Sequence, residues 1–182
     1  MGSFNPIHNG HLIVAQHMLQ ELQLDEVWFV VSPQNPFKVD TNLWPETLRL
    51  AWVEKAIENN PKFKACDVEF TLPRPSYTYL TLKHLLEQYP QHKFIILMGS
   101  DNLERLTEWK EINTLLKGCK IVVYKRPYSD SPNPYPKQIQ VMQTPLLEIS
   151  ATFIRQQLQK GHSIQYLVPE NIRAQIEQCK PV

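Results

Sequence analysis

The chain has 182 residues, 42% of them hydrophobic and 20% charged, and 19 Lys+Arg against 18 Asp+Glu leave a formal net charge of +1. That balance excludes the electrostatic footprint of a nucleic-acid-polymer or anionic-membrane binder, and the apolar content excludes disorder. The expectation is one domain over residues 1–182, soluble and cytoplasmic, since the longest apolar runs, Val27 to Val31 and Phe94 to Met98, fall far short of the ~20 residues of a membrane span.

Gly10 to Leu22 carries apolar residues at Leu12, Ile13, Val14, Ala15, Met18, Leu19 and Leu22, which predicts a helix with one wide buried stripe. Glu26 to Ser32 reads as a fully buried strand, Pro33 to Trp44 as a polar loop, and Pro45 as the first residue of a helix reaching Glu58. A strand over Phe63–Phe70, a loop at Pro73–Pro75, a helix over Tyr77–Gln88 and a strand over Lys93–Met98, closed by Gly99, follow. A helix over Glu111–Leu116, ended by Gly118, leads to a strand over Lys120–Lys125. Arg126–Lys137 holds four prolines, Pro127, Pro132, Pro134 and Pro136, and is an exposed loop. Gln138–Gln143 is a further strand, and Ala151–Lys160 and Pro169–Cys179 are the final helices. Strands alternating with helices make this an α/β chain with an open, mostly parallel sheet and helices on both faces. In such a sheet a ligand sits beyond the carboxyl ends of the strands. The widely spaced Cys66, Cys119 and Cys179 fit neither a disulfide framework nor a zinc site.

Glycine is scarce, five against 15 prolines, so each one marks a place worth inspecting. Gly2 and Gly10 frame the loop Gly2-Ser3-Phe4-Asn5-Pro6-Ile7-His8-Asn9-Gly10-His11, which runs straight into the first helix. Gly2 lets backbone approach a ligand, and the helix start offers N–H groups and a positive dipole end to a phosphate. His8 and His11 stand three apart there, so both imidazoles can face one anion; read structurally instead, His8 caps the helix and His11 packs in the core. Ser150 and Thr152, at the start of a late helix, can present hydroxyls and N–H groups to phosphate oxygens. Arg155 adds a fork of donors. Asp101 follows a strand and Gly99, where a carboxylate accepts ribose hydroxyls or caps a helix. Trp109 stands in a polar loop and can stack on a flat ring.

GSFNPIHNGH resembles the HxGH motif of the nucleotidyltransferases, which move an AMP or CMP group and release pyrophosphate. Ile149-Ser150-Ala151-Thr152-Phe153-Ile154-Arg155 is similar to their ISxTxxR element. Pro75-Ser76-Tyr77-Thr78, Gly99-Ser100-Asp101-Asn102-Leu103, Trp109-Lys110, Asn35-Pro36-Phe37-Lys38, Arg126-Pro127 and Tyr166-Leu167-Val168-Pro169 resemble segments of the bacterial nicotinate-nucleotide adenylyltransferases. The likeness spans Gly2 to Pro169. It implies a Rossmann-like fold and a single reaction, the joining of nicotinate mononucleotide and ATP into nicotinate adenine dinucleotide with release of pyrophosphate.

The resemblance further implies that Gly2, Ser3, Phe4, Gly99, Ile149, Ser150, Thr152 and Arg155 hold ATP, with His8, His11 and Arg155 catalytic. It implies that Lys38, Thr78, Asp101, Trp109 and Arg126 hold the mononucleotide, Thr78 its carboxylate, Trp109 its pyridine ring, and Lys38 and Arg126 its phosphate. Mg²⁺ is expected to ride on the ATP phosphates, since no carboxylate cluster has ligand spacing, and self-association into a homo-oligomer is left open. The sequence departs from the family twice: Leu80 stands where members commonly carry Asp, and only Met1 precedes Gly2. The usual first strand is therefore expected to be lacking. The alternatives are a pantetheine-phosphate adenylyltransferase, which has Thr where His8 stands and lacks the Trp109 loop, an aminoacyl-tRNA synthetase fragment, whose KMSKS-like element is missing, and a nucleotide-binding homologue without activity.

Overall fold

The computed structural model describes residues 1–36, 43–127, 129 and 131–179. Helices and strands alternate: α1 (Asn9–Glu21), β1 (Val27–Val30), α2 (Glu46–Ile57), β2 (Phe63–Cys66), α3 (Thr78–Gln88), β3 (Ile95–Gly99), α4 (Ile112–Gly118), β4 (Lys120–Tyr124), β5 (Ile139–Met142), α5 (Ala151–Gln159) and α6 (Glu170–Gln178). All strand pairs are parallel, as the alternation requires. β1 pairs with β2, setting Val27 against Phe63 and Val30 against Cys66. β4 lies between β3 and β5, with Gly99 against Tyr124 and Ile121 against Ile139. Ile121, Val122 and Val123 of β4 are fully buried, which is why this strand reads as an unbroken apolar run rather than an alternating one.

Among the described residues the strands form these two ladders rather than one continuous hydrogen-bonded sheet. Beside β1, where a first strand was expected to be lacking, Gly2 makes one parallel bridge with Val31. Its N–H donates to the Val30 carbonyl (3.0 Å) and its carbonyl accepts from the Ser32 N–H (2.8 Å). The loop that carries the histidines leaves the sheet from this point.

Two segments differ from the periodicity reading. The strand expected over Phe63–Phe70 stops at Cys66, because Asp67 turns out of the extended region and Val68–Phe70 form a 3₁₀ turn that buries Val68 and Glu69. Ser100–Glu108 is a 3₁₀ stretch of nine residues. With three residues per turn, Leu103 and Leu106 fall on one side of it, and both are buried. It carries the chain from Asp101 to Trp109.

One core cluster joins Ile7, Phe29, Trp52, Val53, Ile154, Ile172 and Ile176, so it clasps α2, α5 and α6 around β1. A second gathers Ile96, Met98, Leu106, Leu115, Ile121 and Val123 about β3 and β4. Trp52 is fully buried, whereas Trp28 is half-buried, edge-on to Tyr89 at 4.9 Å with Lys64 Nζ 5.7 Å from its ring centre. The three cysteines are free thiols, and burial pushes the Cys119 thiol up to about 11. Gly118 is the last residue of α4, and Gly161, at φ +70°, follows α5 in the left-handed conformation that stops a helix. Among the described residues no helix is long and apolar enough to cross a membrane.

Candidate active site

The loop from Gly2 to His8 folds tightly over the start of α1. Phe4 takes a positive φ of 44°, costly for a residue with a Cβ, and its ring is held edge-on to His11 at 5.1 Å and near Phe29 at 5.8 Å. At Gly2 an added Cβ would meet only the Phe4 ring, 3.6 Å away, an ordinary contact. The fold itself does not demand glycine there. At Gly10 the fit is tighter: a Cβ would sit 3.0 Å from His8 Nδ1, so the His8 ring would have to give way to any larger residue.

The two imidazoles stack with centroids 3.6 Å apart. His8 is buried at 2% exposure, and among the described residues its Nδ1 has no hydrogen-bond partner. His11 Nδ1 accepts from the His8 N–H at 3.3 Å, which leaves the proton of a neutral His11 on Nε2. Both line a cleft with Gly10, Tyr124, Arg126 and Ile149. Burial, then the Arg126 charge, lowers His8 to about 3. Burial first, then His8, Arg126 and the chain's amino terminus, hold His11 well below its usual value. Both rings are therefore neutral near pH 7, and stacked as they are they resist charging together.

An unfolded histidine takes a proton at about 6.5, while these folded ones resist it, so between about 6.5 and 3 the unfolded chain binds more protons and stability drops with pH. Thermal melts are expected to show a Tm that falls as pH is lowered from 6.5, and a His8→Gln/His11→Gln double variant with a shallower fall.

The start of α5 faces this loop. Ser150 is its N-cap, and Ser150 Oγ accepts from the Phe153 N–H at 3.1 Å. Ser150→Ala is expected to cost about 1 kcal/mol, the typical worth of such a cap, read as a lower Tm. Arg155 Nη1 donates to the Asn5 carbonyl at 2.8 Å, and Nη2 lies 3.5 Å from Thr152 Oγ1. The two motifs recognised 150 residues apart thus meet in space. Ile149 packs against Gly10 at the same junction.

Asp101 and Arg126, which follow β3 and β4, are ion-paired at 3.3 Å. The Arg126 N–H donates to Ser100 Oγ (2.9 Å), and its guanidinium lies 5.8 Å from the Tyr124 ring centre. A Cβ on Gly99 would collide with Asp101 Oδ1 and sit 2.9 Å from Arg126 Cδ, so the glycine makes room for this pair. Thr78 is the first residue of α3, whose N-cap residue Tyr77 supplies no side-chain cap. Trp109 ends the 3₁₀ stretch, half-buried against the β3–β4 cluster, and Lys110 Nζ sits 4.9 Å from the Tyr77 ring centre. The Trp109 loop is thereby held over the start of α3. Lys38 lies outside the described residues.

Three residues not singled out from the sequence hold this arrangement. Asn9 ties the loop to the closing motif, its N–H donating to the Leu167 carbonyl (2.9 Å) and its Nδ2 to the Tyr166 carbonyl (2.7 Å). Asn5 is buried, and its Oδ1 accepts from the Trp44 N–H at 3.0 Å. Arg49 is 1% exposed. Its register was the available signal: it stands three residues before Trp52 and four before Val53, on the buried stripe of α2, where a charge needs a reason.

Comparison with known proteins finds relatives along nearly the whole chain. The family model described as cytidylyltransferase-like matches residues 1–157. A Cytophaga hutchinsonii protein named "Probable nicotinate-nucleotide adenylyltransferase" is 49% identical over 174 residues, covering 94% of this chain and 90% of the relative. A Bacteroides thetaiotaomicron protein of the same name is 45% identical over 182 residues, covering 97% and 90%. In fold, the chain matches the Plasmodium falciparum nicotinic acid mononucleotide adenylyltransferase complexed with NaAD at a TM-score of 0.78 and 23% identity, over 97% of this chain and 92% of that one. The Rossmann-like fold is thereby established, and the chain belongs to the cytidylyltransferase-like family and, within it, to the nicotinate-nucleotide adenylyltransferases.

Proposed function

We propose that this chain joins nicotinate mononucleotide to ATP, forming nicotinate adenine dinucleotide and pyrophosphate. The observation that carries the reading is the neutral His8–His11 stack, set in one cleft with Arg126 and beside the Arg155 arm. In the reaction a phosphate oxygen of the mononucleotide attacks the α-phosphorus of ATP, the bond from that phosphorus to the bridging oxygen breaks, and pyrophosphate leaves with the electron pair. Such a transfer asks the protein for alignment and charge stabilisation and for no nucleophile. His11 Nε2–H and the His8 ring donate to phosphate oxygens that gain charge. Arg155, with Ser150 and Thr152, binds the triphosphate tail. Asp101 takes the acceptor ribose, Arg126 and Lys38 its phosphate, and Trp109 and Thr78 its ring and carboxylate.

Among the described residues no group of three or more His, Cys, Asp or Glu has metal-holding geometry. On this reading Mg²⁺ arrives with the triphosphate, as MgATP. A pyrophosphate-release assay with ATP and three acceptors tests the reading: nicotinate mononucleotide, nicotinamide mononucleotide and phosphopantetheine. Strong preference for the first is expected. Preference for either other acceptor overturns the substrate assignment, and ATP binding without release points to a homologue that has lost catalysis.

A further inference from the structure

We propose that Arg49 is a positioning residue for this transfer, a hub that sets the ATP-side loop against both ends of the acceptor-side segment; the inference rests on the reading above. Its side chain enters the core from α2 and spends its donors on backbone carbonyls drawn from three separate stretches. Nε donates to the Trp44 carbonyl (2.9 Å), Nη1 to the carbonyls of Ser32 (2.9 Å) and Ser3, and Nη2 to the Pro33 carbonyl (3.4 Å). Ser3 belongs to the loop that leads to the histidines. Pro33 and Trp44 bound the stretch of sequence that contains Lys38.

The chemistry of the site argues for geometry over adhesion. Among the described residues no carboxylate forms an ion pair with Arg49. A buried charge facing neutral carbonyls is an inefficient source of stability, and an apolar side chain on the stripe of Trp52 and Val53 would pack there at lower cost. A planar fork, however, fixes the directions of its acceptors, which a single ammonium cannot do. The reach extends one step further. The Trp44 N–H holds Asn5 Oδ1, and the Asn5 carbonyl holds Arg155. Arg49 thus acts on both faces of the loop, directly at Ser3 and through Trp44 and Asn5 at the triphosphate arm. A displacement of about 1 Å at reacting groups is enough to cost on the order of 10²-fold in rate.

The test compares wild type with Arg49→Lys, Arg49→Met and Arg49→Ala, each assayed well below its own Tm and scaled to folded protein. Pyrophosphate release gives kcat and KM, and calorimetric titration with MgATP gives a readout that does not depend on the acceptor. For Arg49→Lys the expected result is a kcat at least 10-fold down, with a larger effect on kcat than on the KM of either substrate and MgATP affinity about 10-fold weaker. Millimolar guanidinium, though not methylammonium, is expected to recover part of the kcat lost in Arg49→Ala. Variants that keep wild-type kcat and MgATP affinity once folded, or that lose activity only in proportion to folded protein, overturn the proposal. Wild type that is inactive with nicotinate mononucleotide while Arg49→Lys still weakens MgATP overturns the functional reading and leaves the ATP-side role of Arg49 standing.

Discussion

Replacing His11 by alanine is expected to lower kcat by about 10²- to 10³-fold with a much smaller change in the KM for ATP, the usual scale for deleting one preorganised donor at a developing charge. The His8 N–H occupies His11 Nδ1 at 3.3 Å and leaves Nε2 as the nitrogen that carries hydrogen. A ring held neutral by burial and by neighbouring positive charge donates without first shedding a proton to solvent. Arrival of a polyanion works against that positive charge and favours protonation of one ring of the stacked pair, so MgATP binding is expected to take up a fraction of a proton and to tighten as pH is lowered. Titration calorimetry in buffers of different ionisation enthalpy measures that uptake. His11→Gln, which keeps an amide donor near the Nε2 position, is expected to retain more activity than His11→Ala. Equal losses in the two variants would show that the donor is not what matters.

Trp52→Ala is expected to produce the largest loss of stability, about 3–5 kcal/mol, as for other large aromatic truncations in a core. For a chain of this length that is roughly 6–20 °C in Tm. Trp52 is fully buried, packs edge-on against Trp44 at 5.2 Å, and sits in the cluster that joins α2, α5 and α6. Among the described residues its Nε1 has no hydrogen-bond partner. Trp52→Phe therefore gives up area and volume without breaking a polar contact, and is expected to cost well under half as much. Because Trp44 holds Asn5 and receives Arg49, the alanine variant is also expected to lose kcat at temperatures where it is folded. Thermal melts and pyrophosphate-release rates on the same samples separate the two effects.

What the sequence disclosed, and what it concealed, follows from how far apart the cooperating residues lie. His8, Gly10 and His11 are consecutive enough for their spacing to carry the chemistry, and the tight fit at Gly10 is local, a Cβ against the neighbouring His8 ring. The Ser150–Arg155 arm was legible because its own helix start organises it. Arg49 was not, since its acceptors lie 46, 17 and 16 residues away at Ser3, Ser32 and Pro33, and only the fold brings them within reach. The 3₁₀ stretch from Ser100 to Glu108 escaped for a different reason: its buried pair, Leu103 and Leu106, repeats every three residues, between the two periods that sequence patterns usually display. The alternation of strand and helix foretold the parallel architecture, yet nothing in one strand's composition says which neighbour it bonds. The division into β1–β2 and β3–β4–β5 ladders had to be seen.

The contact between Asp101 and Arg126 makes each group the other's rival for a ligand. A diol that approaches Asp101 displaces a cation, and a phosphate that approaches Arg126 displaces an anion. A molecule bearing both groups at the right separation exchanges the two contacts in one event and strands neither charge. A fragment bearing one of them leaves the abandoned partner unpaired. Half-exposed pairs are worth only about 0–1 kcal/mol, so on the proposed reading giving up this contact weakens the binding of a whole mononucleotide by at most about fivefold, and a fragment that holds only one of the two groups gains nothing from the other.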